Sequence, residues 1–185
     1  MFPDVTTPAL LTAEDVAHIS LPGKQVELVH GRLVVHEPPG TWHGKVAATL
    51  ARCLGNFVAE RDLGAVFAQD TGFKIASDPD TVRGPDVAFV AQQRLRQIPS
   101  SGYADLAPDL VAEVLSAGDR PAEVLAKVAD WLAAGTKLVW VIDPGRLEAR
   151  VYRPDGSLSV VPADGSLDGE DLLPRFTCLL RDVLS

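Results

Sequence analysis

The sequence predicts a mixed α/β fold, with helices packed on a mixed β-sheet. Three observations carry this reading. "PDVAFV", "DLVAEVLS" and "KLVWVIDP" are short, almost continuous apolar runs, as expected of strands covered on both faces. From Trp42 to Glu60, by contrast, Val46, Leu50, Cys53, Leu54, Phe57 and Val58 recur at the spacing of one helix face. The two periods also alternate along the chain, which is the pattern of helices laid against a sheet.

Each element follows in order. "TAEDVAHIS" predicts a short helix that Thr12 caps, with Glu14 and Asp15 at its positive end. "QVELVHGRLVVHEP" predicts a hairpin about His30-Gly31, where glycine takes the positive φ of the turn. After the long helix, "LGAVFAQDTGFKIA" reads as strand, turn, strand, and "SDPDTVRG" as a loop before the strand "PDVAFV". "QQRLRQIPSSGYADLAP" reads as a helical stub and polar loop leading to the buried strand "DLVAEVLS". A second helix starts with Asp119 as cap and Pro121 in its first turn, and stops at Ala133-Ala134-Gly135. "KLVWVIDP" is then a strand, and "LEARVYRPDGSLSVV" a hairpin across Pro154-Asp155-Gly156.

At 185 residues and 46% hydrophobic content, one domain over residues 1–185 with a substantial core is expected. The opening residues lack a basic leader and no run reaches the length of a membrane span, so a soluble, cytoplasmic protein is expected. Cys53 and Cys178 are too few for a disulfide framework and read as core fillers in a reducing compartment. The net charge of −8 argues against non-specific attraction to a polyanion. That acid is uneven: "DGSLDGEDL" holds four carboxylates with no base and reads as a solvated loop, leaving room for a basic surface of Arg83, Arg94, Arg96 and Arg120.

Two carboxylates stand out against this background. Strand alternation puts Val111, Glu113 and Leu115 on one face and Leu110, Ala112 and Val114 on the other, so Glu113 lies on an apolar face. An unpaired charge there costs several kcal/mol, which demands a cation, a metal or a strong donor. Asp86 opens its own strand behind Pro85. Either residue alone reads as structural, a turn aspartate or a paired glutamate. Together they form an oxygen-ligand site suited to Mg²⁺ or Mn²⁺. Lys127 lies at the edge of the second helix's stripe of Val124, Val128, Trp131 and Leu132, from which its ammonium reaches the sheet's rim; the alternative is a pair with Glu123. His43 falls on the apolar side of its helix and Glu27 between Val26 and Leu28; each alone reads as structural.

In order and spacing, "VELVHGRLVV", "WHGKVAATLARCL", "RGPDVAFV", "PDLVAEVLS" and "KVADWLAAGTKLVWVIDP" resemble the Uma-two family of "putative restriction endonucleases", a branch of the PD-(D/E)XK nuclease superfamily, from about Val26 to Tyr152. The resemblance implies a restriction-endonuclease-like core with Asp86 and Glu113 as metal ligands and Lys127 as the helix lysine, while Glu27 and His43 match the family's Glu and His positions. The superfamily's simplest pattern has lysine two residues after the second acid, where this chain has Leu115; the resemblance implies that Lys127 fills that space instead. Ser116-Ala117 stands where the family has Ser-Pro.

The implied chemistry is hydrolysis of DNA phosphodiesters, with Mg²⁺ or Mn²⁺ on Asp86, Glu113 and the Val114 carbonyl. Lys127 then orients water and stabilises the developing negative charge, Glu27 supports the metal or its water, and His43 contacts phosphate or tunes the site. Two alternatives stay open: a decayed nuclease fold that only binds, and a metal-dependent hydrolase of small phosphoesters. A homodimer is also expected, because cutting two strands calls for two sites and the C-terminal hairpin offers a sheet edge.

Overall fold

The computed structural model describes residues 9–185; the first eight residues, on which part of the leader reading rests, lie outside the described residues. The first described helix, α1 (Ala13–Ala17), starts as expected at Thr12, whose hydroxyl accepts from the Asp15 N–H while Asp15 accepts from the Thr12 N–H. Strands β1 (Gln25–Val29) and β2 (Arg32–His36) form the hairpin. Both turn residues are left-handed, His30 at φ 49° and Gly31 at φ 72°, the pairing that matches strand twist in a two-residue turn. The long helix α2 (Thr41–Glu60) follows and buries Val46, Leu50, Leu54 and Val58.

The middle of the chain supplies β3 (Gly64–Ala68), β4 (Phe73–Ala76), β5 (Thr81–Arg83) and β6 (Val87–Ala91). A 3-10 turn at Gln92–Gln97 and β7 (Ala104–Asp105) lead to β8 (Leu110–Val114), helix α3 (Pro121–Ala133) and β9 (Leu138–Asp143). The chain closes with β10 (Glu148–Tyr152), β11 (Leu158–Pro162), β12 (Ser166–Asp168), β13 (Thr177–Leu179) and α4 (Leu180–Leu184).

These strands make a six-stranded sheet in the order β11-β10-β9-β8-β6-β3, a five-stranded sheet β2-β1-β5-β4-β7, and the small pair β12-β13. In the six-stranded sheet β8 and β9 are parallel, joined through α3, and the other neighbours are antiparallel. The expected alternation in β8 decides the layering. Leu110, Ala112 and Val114 enter the core built with α2 and the C-terminal segment. Val111 faces the second core, with Val128 and Trp131 of α3 and Phe73 of the five-stranded sheet. Each large side chain fully buried here contributes about 1.5–3 kcal/mol.

Five expectations need correction. "SDPDTVRG" contains β5, which pairs with both β1 and β4 and buries Val82; a three-residue strand is too short to display a period. β7, inside the segment read as a polar loop, escapes notice for the same reason. The acidic stretch 164–172 contains β12, paired with β13, with Leu167 and nearby Leu173 fully buried; its charges turn outward and mask one inward leucine. The cap of α3 is Arg120, not Asp119, because Pro121 at the first helical position forces its predecessor into extended backbone. Asp119 instead accepts the Ser116 N–H at 2.6 Å. No shared basic surface forms from the four arginines: Arg83 is buried against Glu27 and Asp130, and Arg94 pairs with the buried Asp109.

Candidate active site

The site begins where β6 and β8 part. Val87 lies opposite Ala112, so the next residues outward on the two strands, Asp86 and Glu113, take facing positions. Asp86 Oδ2 accepts the Val114 N–H at 2.7 Å, which fixes the carboxylate against the strand end. Glu113, only 7% exposed, is fastened from α3 at both oxygens: the Trp131 indole Nε1 donates to Oε1 at 2.9 Å and Lys127 Nζ lies 3.0 Å from Oε2. Lys127 and Trp131 are four residues apart and therefore share a helix face.

Lys127 is held from the other side by β1. Its Nζ lies 3.2 Å from Glu27 Oε1 and donates to the Gly84 carbonyl at 3.1 Å. Glu27 in turn accepts the Gly84 N–H at 2.9 Å and an Arg83 guanidinium N–H at 2.7 Å. Arg83 reaches on to Asp130 of α3, at 2.6 Å and 3.1 Å. His36 Nε2 approaches Glu27 Oε2 at 3.4 Å. His43, in the first turn of α2, places Nε2 3.0 Å from Asp86 Oδ2, while its buried Nδ1 has no hydrogen-bond partner among the described residues.

The charges are set by this geometry. Burial pushes the Glu113 carboxyl up to about 7 against the pull of Lys127, with the Asp86 and Glu27 charges adding to the rise. Burial also opposes ionisation of Glu27, but Lys127, His36, Arg83 and the Gly84 N–H together hold it well below the ordinary carboxylate range. For Lys127 burial works against the ammonium, and Glu113, Glu27 and Asp86 overcome it, so the lysine stays charged. Burial lowers the His43 imidazole; the hydrogen bond and charge of Asp86 more than reverse this, with Asp119 and the Val114 backbone adding.

All five side chains singled out in the sequence thus meet in one network, and the Val114 backbone lies beside Asp86. Lys127 takes Glu113 and Glu27, not Glu123, which pairs with Arg120. Both Glu27 oxygens are engaged by protein donors, so it grips Lys127 and Arg83. Sequence reasoning missed Trp131 as a donor, Arg83 as a buried tie and Asp130 as its partner. The spacing of four from Lys127 could have flagged Trp131; nothing local signals that β5 lies against α3.

A groove of about 1060 Å³ opens over these groups, lined also by Lys24, His36, Asp70, Arg120 and Glu123. Among the described residues no cluster of three or more histidine, cysteine, aspartate or glutamate side chains is poised to hold a metal. What is present is an all-oxygen pair, Asp86 and Glu113, in a pocket that already stabilises one cation, the Lys127 ammonium. That donor set fits a hard divalent ion. No helix among the described residues is long and apolar enough to cross a membrane.

The fold matches the crystal structure of "a putative nuclease belonging to DUF820" from Anabaena variabilis, with a TM-score of 0.80 at 18% identity, over 94% of this chain and 97% of that one. No curated protein matches the chain. A family pattern described as "Putative restriction endonuclease" matches residues 13–181, which include every element of the network described above. The chain belongs to this family, Uma2.

Proposed function

We propose that the protein is a divalent-metal-dependent endonuclease that hydrolyses DNA phosphodiester bonds, acting as one unit over residues 1–185. The observation that carries this reading is the placement of Asp86 and Glu113 at facing positions, with the Lys127 ammonium on Glu113 under an open groove. Asp86, Glu113 and the Val114 carbonyl would hold Mg²⁺ or Mn²⁺. When bound, the ion supplies a polarised phosphate oxygen and a more acidic water. Lys127 donates hydrogen bonds to the negative charge that develops on the phosphate as water attacks and the leaving oxygen departs. Glu27 is a positioning residue that aims Lys127 from β1. His43 steadies Asp86 through the 3.0 Å contact and stands beside the phosphate's path.

Plasmid nicking with Mn²⁺ tests this. Asp86→Ala, Glu113→Ala and Lys127→Ala should each remove most activity, with double variants little worse than singles, because the groups act as a unit. Full activity in Lys127→Ala removes that residue from the chemistry, and activity undiminished by chelator overturns metal dependence. A second reading, hydrolysis of a small phosphoester, is favoured by the net charge of −8 and by Glu37, Asp70, Asp119 and Glu123 along the groove. Faster turnover of bis(p-nitrophenyl) phosphate than of DNA would select it. Failure to bind Mn²⁺ at all would leave a nuclease fold that only binds.

A further inference from the structure

Far from this groove, the two cysteines meet. Cys53 lies on α2 and Cys178 on β13, 125 residues apart in sequence, yet their Sγ atoms are 2.7 Å apart. Both are free thiols. A disulfide needs about 2.05 Å between sulfurs, and these two already lie in direct contact with no side chain between them. They also border a surface cleft of about 350 Å³, lined by Arg52, Asn56 and Asp182 among others. Both cysteines line the cleft; Cys178 is buried, while Cys53 is partly exposed.

We propose that Cys53 and Cys178 are a redox pair that closes to a disulfide by exchange with a small anionic disulfide of the glutathione class, cross-linking α2 to the C-terminal β12-β13-α4 segment. Cys53 is the attacking thiol, because it is the less buried of the two cysteines that line the cleft, and Arg52 beside it suits a carboxylate-bearing reagent. Its thiolate bonds to one sulfur of the small disulfide and expels one small thiolate. Cys178 then loses its proton and attacks the Cys53 sulfur, forming the protein disulfide and expelling the second. Two protein thiols are oxidised, one small disulfide is reduced to two thiols, and the two protons pass to those thiols. Burial, with the Cys53 neighbour and the Asp182 charge, pushes the Cys178 thiol up to about 12, which keeps it protonated and leaves Cys53 to react first.

The test uses the full chain, equilibrated in glutathione buffers of stepped oxidised-to-reduced ratio, then denatured, alkylated and read by mass spectrometry. The expected result is a species that has lost two hydrogens, carries no alkyl group at Cys53 or Cys178, and yields a single cross-linked peptide. The oxidised form should also melt more than about 5 °C above the reduced form, since a loop of this length is closed in the unfolded chain. Cys178→Ser should instead accumulate a glutathione adduct on Cys53, and Cys53→Ser should stay unmodified. Alkylation of both parent thiols at every ratio, or a stable glutathione adduct on the parent protein, overturns the proposal.

Discussion

Glu27 is a buried carboxylate that faces two cations, and that sets how the fold responds to acid. Burial alone would raise it above its ordinary value of 4.5, but Lys127, His36, Arg83 and the Gly84 N–H reverse this. A group held low in the fold stabilises fully above its ordinary value and loses that stabilisation as pH falls below it. Glu27→Gln should therefore cost about 3 kcal/mol at neutral pH, because Arg83 and Lys127 lose their charged partner. The cost should shrink steadily below pH 4.5, and urea melts of both proteins between neutral pH and about pH 3 check it. Trp131 offers a second test. Trp131→Phe keeps a ring in the core but removes the N–H on Glu113 Oε1, so Mn²⁺ affinity measured by titration calorimetry should fall about 10- to 100-fold with the fold intact.

Glycines separate the demands of two neighbouring elements. Gly64 opens β3 at φ 147°, and a Cβ there would meet the Val90 carbonyl oxygen at 2.1 Å. Gly64→Ala should destabilise by about 2–4 kcal/mol, because strain and a backbone clash act together. Gly55, in α2, has open space around its Cα. Gly55→Ala should raise stability by about 0.5–1 kcal/mol through helix propensity alone. Denaturant midpoints of the two variants against the parent check both signs.

Across the whole molecule, the six-stranded sheet ends in β11, an edge strand with two apolar residues on one face, Leu158 and Val160, 52% and 56% exposed. An unpaired edge of this kind is a template for a second copy, and a two-fold axis across it would continue the sheet antiparallel. Light scattering at micromolar concentration should give the mass of a dimer, and Val160→Lys should give a monomer with an unchanged melting profile. A monomeric mass for the parent protein would remove the dimer. Two sites in one assembly would also suit the proposed cleavage of both strands of a duplex.

Local patterns suffice for much of this protein. The capping box at Thr12, the turn at His30-Gly31, the period of α2 and the two-faced burial of β8 are each written in a few adjacent residues, because dihedral preference and burial act over one or two turns of chain. Glu113 could be picked out for the same reason, as a charge on an apolar face. Its partners could not. Lys127 was placed at the rim by helix geometry, but the tie from Arg83 to Asp130, the indole bond of Trp131 and the contact of Cys53 with Cys178 join residues 18 to 125 positions apart. β5 and β12 are likewise strands only because neighbours flank them. Such pairings depend on which strand lies beside which, and strand order is fixed by the packing of two sheets and two helices around shared cores, a property of the assembled fold that no single stretch of sequence contains.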